Sequence, residues 1–263
     1  MKQLYYIFKV SLDKAFKETI RYRFNFISQI ATFYILFMAM FYGLKSFGAY
    51  MRVPSIYLND TLEGFVAGYF VWTIIVLAYS DIAYSIIRDA MRGTLEQLSM
   101  PPIGLHNILL IRGICNLLIN LILSSIVLVL AMLSTGYYLK FNILMLIISI
   151  FGGILSLFGI GLILGGLALI FKKIQTLLNI IQFFVLALVI PGSNSNILTN
   201  LLPFRPSINI IYKTMISGYT LKDLSLQDIG FMLVNTILYL ILGIVVFKRC
   251  EIIAKKRGLL GQY

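Results

Sequence analysis

From Ile143 to Phe171 the chain carries no charged residue. That run exceeds the roughly 20 mostly apolar residues that a helix needs to cross a hydrocarbon core of about 30 Å. Five further stretches approach or meet the same requirement: about Phe24 to Leu44, Gly64 to Ile87, Ile108 to Leu133, Ile174 to Pro191 and Ile229 to Phe247. The fifth span in order, Ile174 to Pro191, is short and is expected to stop at Pro191-Gly192. With 60% hydrophobic and 12% charged residues in 263, a water-soluble domain is excluded. The expected fold is an all-α integral membrane protein with six transmembrane helices.

Orientation follows from the basic residues. Counted by their place relative to the spans, sixteen of the 22 Lys and Arg fall on one side: the N-terminal segment, the second-to-third connection, Lys172-Lys173 and the C-terminal tail. That side is read as cytoplasmic, which places both termini inside. A multi-pass protein of a bacterial or archaeal plasma membrane is the expected location. The formal charge of +12 then reads as orientation and contact with anionic lipid, with no nucleic acid as partner. Cys115 and Cys250 do not make a disulfide framework, and a single histidine, His106, leaves little metal or acid–base chemistry.

Residues 1–23 carry Asp13 and Glu18 among the basics and are followed by a run long enough to span, so they do not read as a cleaved signal peptide. Leu4, Phe8, Leu12, Phe16 and Ile20 recur every four residues. This is the pattern of an amphipathic helix on the inner membrane surface, or of one packed on another subunit. Residues 24–247 form the six-span domain and 248–263 a basic tail.

Ionisable groups at membrane depth are costly and point to function. Asp81 in span two and Arg112 in span three lie at similar expected depth with opposite charge, and pairing between them is expected, with snorkelling or a proton relay as the other readings. Tyr69, Trp72, Thr73 and Tyr79 of span two, with Gln182 and Phe183 of span five, either line a substrate path or serve packing and the interfacial belt. Span four is rich in small residues, including Gly152, Gly153, Gly159, Gly161, Gly165 and Gly166. They allow close helix approach within the chain or at a subunit interface. Between spans five and six, Pro203 and Pro206 leave two short apolar pieces, Asn196 to Leu202 and Ser207 to Ile216, read as short helices dipping into the outer leaflet. Asn59-Asp60-Thr61 matches a glycosylation acceptor, a weak three-residue signal.

The connection between spans two and three reads Arg88-Asp89-Ala90-Met91-Arg92-Gly93-Thr94-Leu95-Glu96-Gln97-Leu98-Ser99-Met100-Pro101-Pro102. Physically it is a turn at Gly93, a short helix from Thr94 with Leu95 and Leu98 on one side, and a stop at the prolines. Such an element suits docking, or is an ordinary interfacial helix. The stretch resembles the Arg-rich, GTLEQL, Pro signature before the third span of ABC-2 type permeases, the membrane subunits of one class of ATP-binding-cassette transporters. Leu202-Pro203-Phe204-Arg205-Pro206 resembles that family's segment before its last span, and the likeness in plan covers essentially the full chain.

The resemblance implies a coupling loop over 88–104 in which Arg88, Arg92, Gly93, Thr94, Leu95, Glu96, Gln97 and Leu98 engage a separate ATPase subunit. It also implies a re-entrant segment over 192–218 and a second permease chain, the same or related, completing a dimer. No Gly-Lys-Ser or Gly-Lys-Thr follows the glycines of 161–173, so ATP and Mg would be bound by the partner and no cofactor by this chain. Tyr22-Arg23-Phe24-Asn25-Phe26-Ile27 is similar to drug- and antibiotic-export members, which implies outward movement of a small hydrophobic or amphipathic substrate; lipid or lipid-linked polysaccharide export is the alternative. A lipid-modifying membrane enzyme is a remote third reading, because its acid–base constellation is missing, and a secondary transporter is disfavoured because paired broken helices in two repeats are not evident.

Overall fold

The structure, a computed structural model, describes residues 2–51, 54–189 and 197–258, and every regular element within them is helical. In chain order these are α1 (Lys2–Arg21), α2 (Arg23–Tyr50), α3 (Ser55–Met91), α4 (Leu95–Ser99), α5 (Leu105–Thr135), α6 (Ile143–Phe171), α7 (Gln175–Val189), α8 (Ile197–Asn200), α9 (Arg205–Tyr212) and α10 (Leu226–Lys256). A π-helical turn, Lys213–Ser217, continues α9, and a 3-10 turn, Leu221–Asp223, precedes α10. In that turn the Thr220 hydroxyl and backbone N–H both donate to Asp223, which holds its carboxyl below the usual carboxylate range.

Five helices are long and apolar enough to cross a membrane: α2, α3 from Asp60 onward, α5, α6 and α10. Helix α7 is apolar but has 15 residues, about 22 Å of rise, short of the hydrocarbon thickness. Six crossings were expected from the sequence; five meet the length, and the expected stop at Pro191-Gly192 lies outside the described residues.

Helix α3 is the centre of the bundle. The best 18-residue stretch of it is 89% buried, against 11% for α2 and 22% for α10, so α3 is sheathed by protein while α2 and α10 show most of their apolar surface. Around α3 stand α2, α5, α6, α7 and α9. Helix α1 lies along α5, with Cys115 Sγ donating to the Phe8 carbonyl at 3.7 Å. Its best-buried residue is Ala15, while Leu4, Phe16 and Ile20 of the apolar stripe stay exposed. The face that touches α5 is therefore offset from the apolar stripe, which remains free for a membrane surface.

Lipid tails are as apolar as Leu, so helix association in a membrane depends on close packing and hydrogen bonds. The glycines of α6 supply the first. Those at 152, 159 and 166, seven apart, face α10: a methyl group at Gly159 would lie 2.1 Å from the Tyr239 carbonyl oxygen, and one at Gly243 of α10 would lie 2.3 Å from that of Gly159. Gly161 and Gly165 face α3 instead, against Tyr79, Ile82 and Ile86. The small residues of span four thus serve packing within the chain on two faces.

Hydrogen bonds hold the irregular stretch after α8. Asn235 of α10, buried, donates through Nδ2 to the carbonyls of Asn200 (3.0 Å), Leu201 (3.3 Å) and Leu202 (2.9 Å), and its Oδ1 accepts from Phe204 N–H (3.2 Å). One amide thereby gathers backbone groups that the irregular chain leaves without helical partners. Phe204 itself sits at φ +61°, a left-handed conformation that bulky residues avoid. From there α9 runs buried against α6 and α10.

Two outcomes follow for the detergent-purified protein. Gly159→Leu must push α10 away and is expected to cost about 1–3 kcal/mol or more, lowering the midpoint of thermal unfolding, whereas Gly43→Ala, which meets nothing within 4 Å, leaves it unchanged or slightly raised. Asn235→Leu, similar in size, orphans the buried Phe204 N–H and costs about 1–3 kcal/mol, with faster backbone hydrogen exchange at Phe204.

Candidate functional site

The connection between α3 and α5 was marked by sequence as the docking element, and its structure is a short helix clamped from three sides. Gly93 takes φ +69°, with nothing within 4 Å of where a side chain would start. The Thr94 N–H and hydroxyl both donate to the Asp89 carbonyl, at 2.9 and 3.1 Å, so Thr94 closes the end of α3 and its side chain does not cap α4. Leu95 is buried and Leu98 half-buried against the core. At the far end of α4, Lys255 of α10 donates to the Ser99 carbonyl at 3.3 Å while pairing with Glu251 at 2.7 Å. What remains exposed is a ridge of Met91, Arg92, Glu96, Gln97 and Met100.

Beneath the ridge, Arg112 of α5 forms an ion pair with Asp89 of α3, whose side chain is nearly buried. Eight residues deeper on both helices, Asn120 Nδ2 donates to Asp81 Oδ2 at 2.6 Å. The expected Asp81–Arg112 pair is therefore corrected. The antiparallel register sets Asp81 opposite Asn120 and Asp89 opposite Arg112, and eight residues, about 12 Å of rise, separate the two levels. Asp89 stood in the sequence as part of the loop and was not read as the partner.

Two of the cavities beside α3 exceed 500 Å³. The inner one, about 540 Å³, lies towards the loop end between α1, α2, α3 and α5, and takes in Glu18, Asp81, Arg88, Arg92, Asn116 and Asn120. The outer one, about 550 Å³, lies between α2, α3, α7 and α9 and is mostly apolar, with Tyr69, Gly68 and Tyr212 on its wall. The inner cavity was not anticipated; amides at 116 and 120, one turn apart in an apolar helix, were the signal available for it.

The side chains considered for a substrate path are placed differently from one another. Tyr69, Trp72, Thr73 and Tyr79 are all buried. Tyr69 donates to the Phe33 carbonyl (2.6 Å), Trp72 Nε1 to that of Gln182 (3.3 Å) and Tyr79 to that of Leu178 (3.3 Å), so these groups fasten α2 and α7 to the central helix. Thr73 bonds within its own helix, to the Tyr69 carbonyl at 2.8 Å. Phe183 projects outward from α7 at 74% exposure, away from those rings. Of the set, Tyr69 reaches a cavity, the outer one.

No protein-family model matches the chain, and no curated protein sequence matches it. The site therefore stands on its own residues.

Breaking the Asp89–Arg112 pair leaves one charge uncompensated in a largely dry place. Arg112→Gln is expected to lower unfolding stability by about 3 kcal/mol, with partial recovery in the exchanged Asp89→Arg/Arg112→Asp double variant. Asp81→Asn keeps a hydrogen-bonding partner for Asn120 and costs less than Arg112→Gln. Chemical-denaturant titration in detergent measures all three.

Proposed function

We propose that this chain is the membrane-spanning permease subunit of an ABC exporter, driven by ATP bound with Mg on a separate ATPase subunit. The observation that carries the reading is the exposed ridge of Glu96 and Gln97 on α4, flanked by Met91, Arg92 and Met100, with the other side of the element anchored through Leu95, Leu98 and the Asp89–Arg112 pair. A force applied to such a ridge passes directly into α3 and α5, and so into the centre of the bundle. A hinged or solvated loop would dissipate it. The resemblance of Arg88 to Leu98 to the coupling element of ABC-2 type permeases gives the same role to the same residues.

In this reading the loop end, with α1 and the basic end of α10, faces the cytoplasm. Helix α7 belongs to the sixth crossing, and α8 and α9 form the re-entrant element of the outer leaflet. Two permease chains form the translocation unit, and their exposed apolar helices meet each other and lipid. ATP-driven closure of the ATPase pair moves the ridge, and the bundles shift between states that bind substrate differently; only that difference transmits the energy. The cargo is a small hydrophobic or amphipathic molecule.

Affinity purification of the tagged full-length chain from its native membranes tests this. A P-loop ATPase is expected in the eluate, and Glu96→Arg is expected to cut its recovery about tenfold, as for loss of one interfacial charge pair, with the melting temperature of the permease unchanged. Recovery of no such ATPase, or equal recovery with the variant, contradicts the assignment.

A further inference from the structure

The inner cavity is charged at its mouth and mixes amides with apolar side chains deeper in. At its mouth, Arg88 and Arg92 from the end of α3 make no ion pair among the described residues, and Glu18 of α1 has Lys14 alone as ionic contact, at 4.0 Å. One level down is Asn116, and then Asn120, fixed by Asp81. Deepest on α5 is Leu123; Ile119 and Phe26 are apolar beside it, and Asn25 and Gln29 of α2 bring amides to the same wall. Two guanidinium groups at the mouth, an amide donor at Asn116 about one helical turn deeper, and the apolar side chains of Phe26, Ile119 and Leu123 offer partners for the phosphate, an ester carbonyl and the acyl chains of a phospholipid.

The geometry points to a phospholipid site in this cavity, selective for a phosphoethanolamine headgroup. Arg88 and Arg92 take the phosphate, since guanidinium forks match phosphate oxygens and are weakly hydrated. The carboxylate of Glu18 takes the ammonium group, and Asn116 donates to an ester carbonyl while the chains lie along Ile119, Leu123 and Phe26. A quaternary choline ammonium has no N–H to donate to Glu18, and a glycerol headgroup has no cation for it, so the carboxylate discriminates against both. The site shares Arg92 with the docking ridge but is otherwise apart from it and from any exported cargo: a resident lipid here wedges α1 against the α3–α5 pair. It does not rest on the export reading, and a chain with no ATPase partner would bind it equally.

The test is native mass spectrometry of the full chain from micelles holding equimolar phosphatidylethanolamine, phosphatidylcholine and phosphatidylglycerol. Retained phosphatidylethanolamine is expected to exceed each of the others about tenfold, the worth of one charge-assisted hydrogen bond. Glu18→Gln should bring the ratios close to one with phospholipid still bound, and Glu18→Asp, which keeps the carboxylate, should preserve the preference. Arg88→Gln/Arg92→Gln should reduce retention of all three lipids. Equal retention by the unaltered chain, no retained phospholipid, or a preference that survives Glu18→Gln would overturn the proposal. So would displacement by soluble glycerophosphoethanolamine at the concentration at which the lipid itself competes, which would assign the site to a free phosphate ester.

Discussion

The register between α3 and α5 decides what every polar group at the loop end can do. Two contacts set it, the Asp89–Arg112 ion pair and the Asp81–Asn120 hydrogen bond, eight residues apart on each helix. A slip of one helical turn would strand a carboxylate against apolar side chains, at a cost no amount of dispersion contact could offset. With the register fixed, the connection has one way to close: Thr94 returns to Asp89, Leu95 drops into the core, and the opposite face of α4 is left to solvent. The same register lines up Arg92, Arg88, Asn116 and Asn120 down one wall of the inner cavity.

The other half of the bundle is held by different means. Glycines of α6 bring its backbone against the backbone of α10, and the amide of Asn235 gathers the chain after α8 onto that pair. Each device answers a different demand. Close approach substitutes for the missing hydrophobic drive between helices, and the single buried amide gives an irregular backbone the partners that a helix would supply. Together they seat α9 at the end of the bundle away from α4, so that one end carries a rigid exposed ridge and the other a packed plug.

Much of this was legible from residue patterns, and the failures have identifiable causes. Long charge-free runs locate α2, α3, α5, α6 and α10, since membrane thickness leaves little freedom in their length. Prolines at 203 and 206 divide the stretch before α10: Pro203 falls in the turn after α8, and Pro206 sits in the first turn of α9, where its missing N–H has no helical partner to lose. The partner of Arg112 was not legible: a hairpin folded about the middle of residues 92–104 sets Arg112 opposite residue 84, between the two aspartates, and a shift of less than a turn and a half chooses. Nor did the sequence distinguish rings that line a path from rings that fasten helices. Tyr69, Trp72 and Tyr79 spend their polar atoms on the carbonyls of Phe33, Gln182 and Leu178, and those distant contacts leave no mark in local spacing. The inner cavity needed α1 folded back beside α5 before Glu18 and the asparagines could share a space.

If α4 is a rigid docking face for an ATPase, as proposed, a photo-reactive amino acid in place of Gln97, activated in intact native membranes, reports it directly. One dominant adduct is expected, whose second component contains a phosphate-binding Gly-Lys-Ser or Gly-Lys-Thr loop. Adducts confined to lipid or to a second copy of this chain would contradict it.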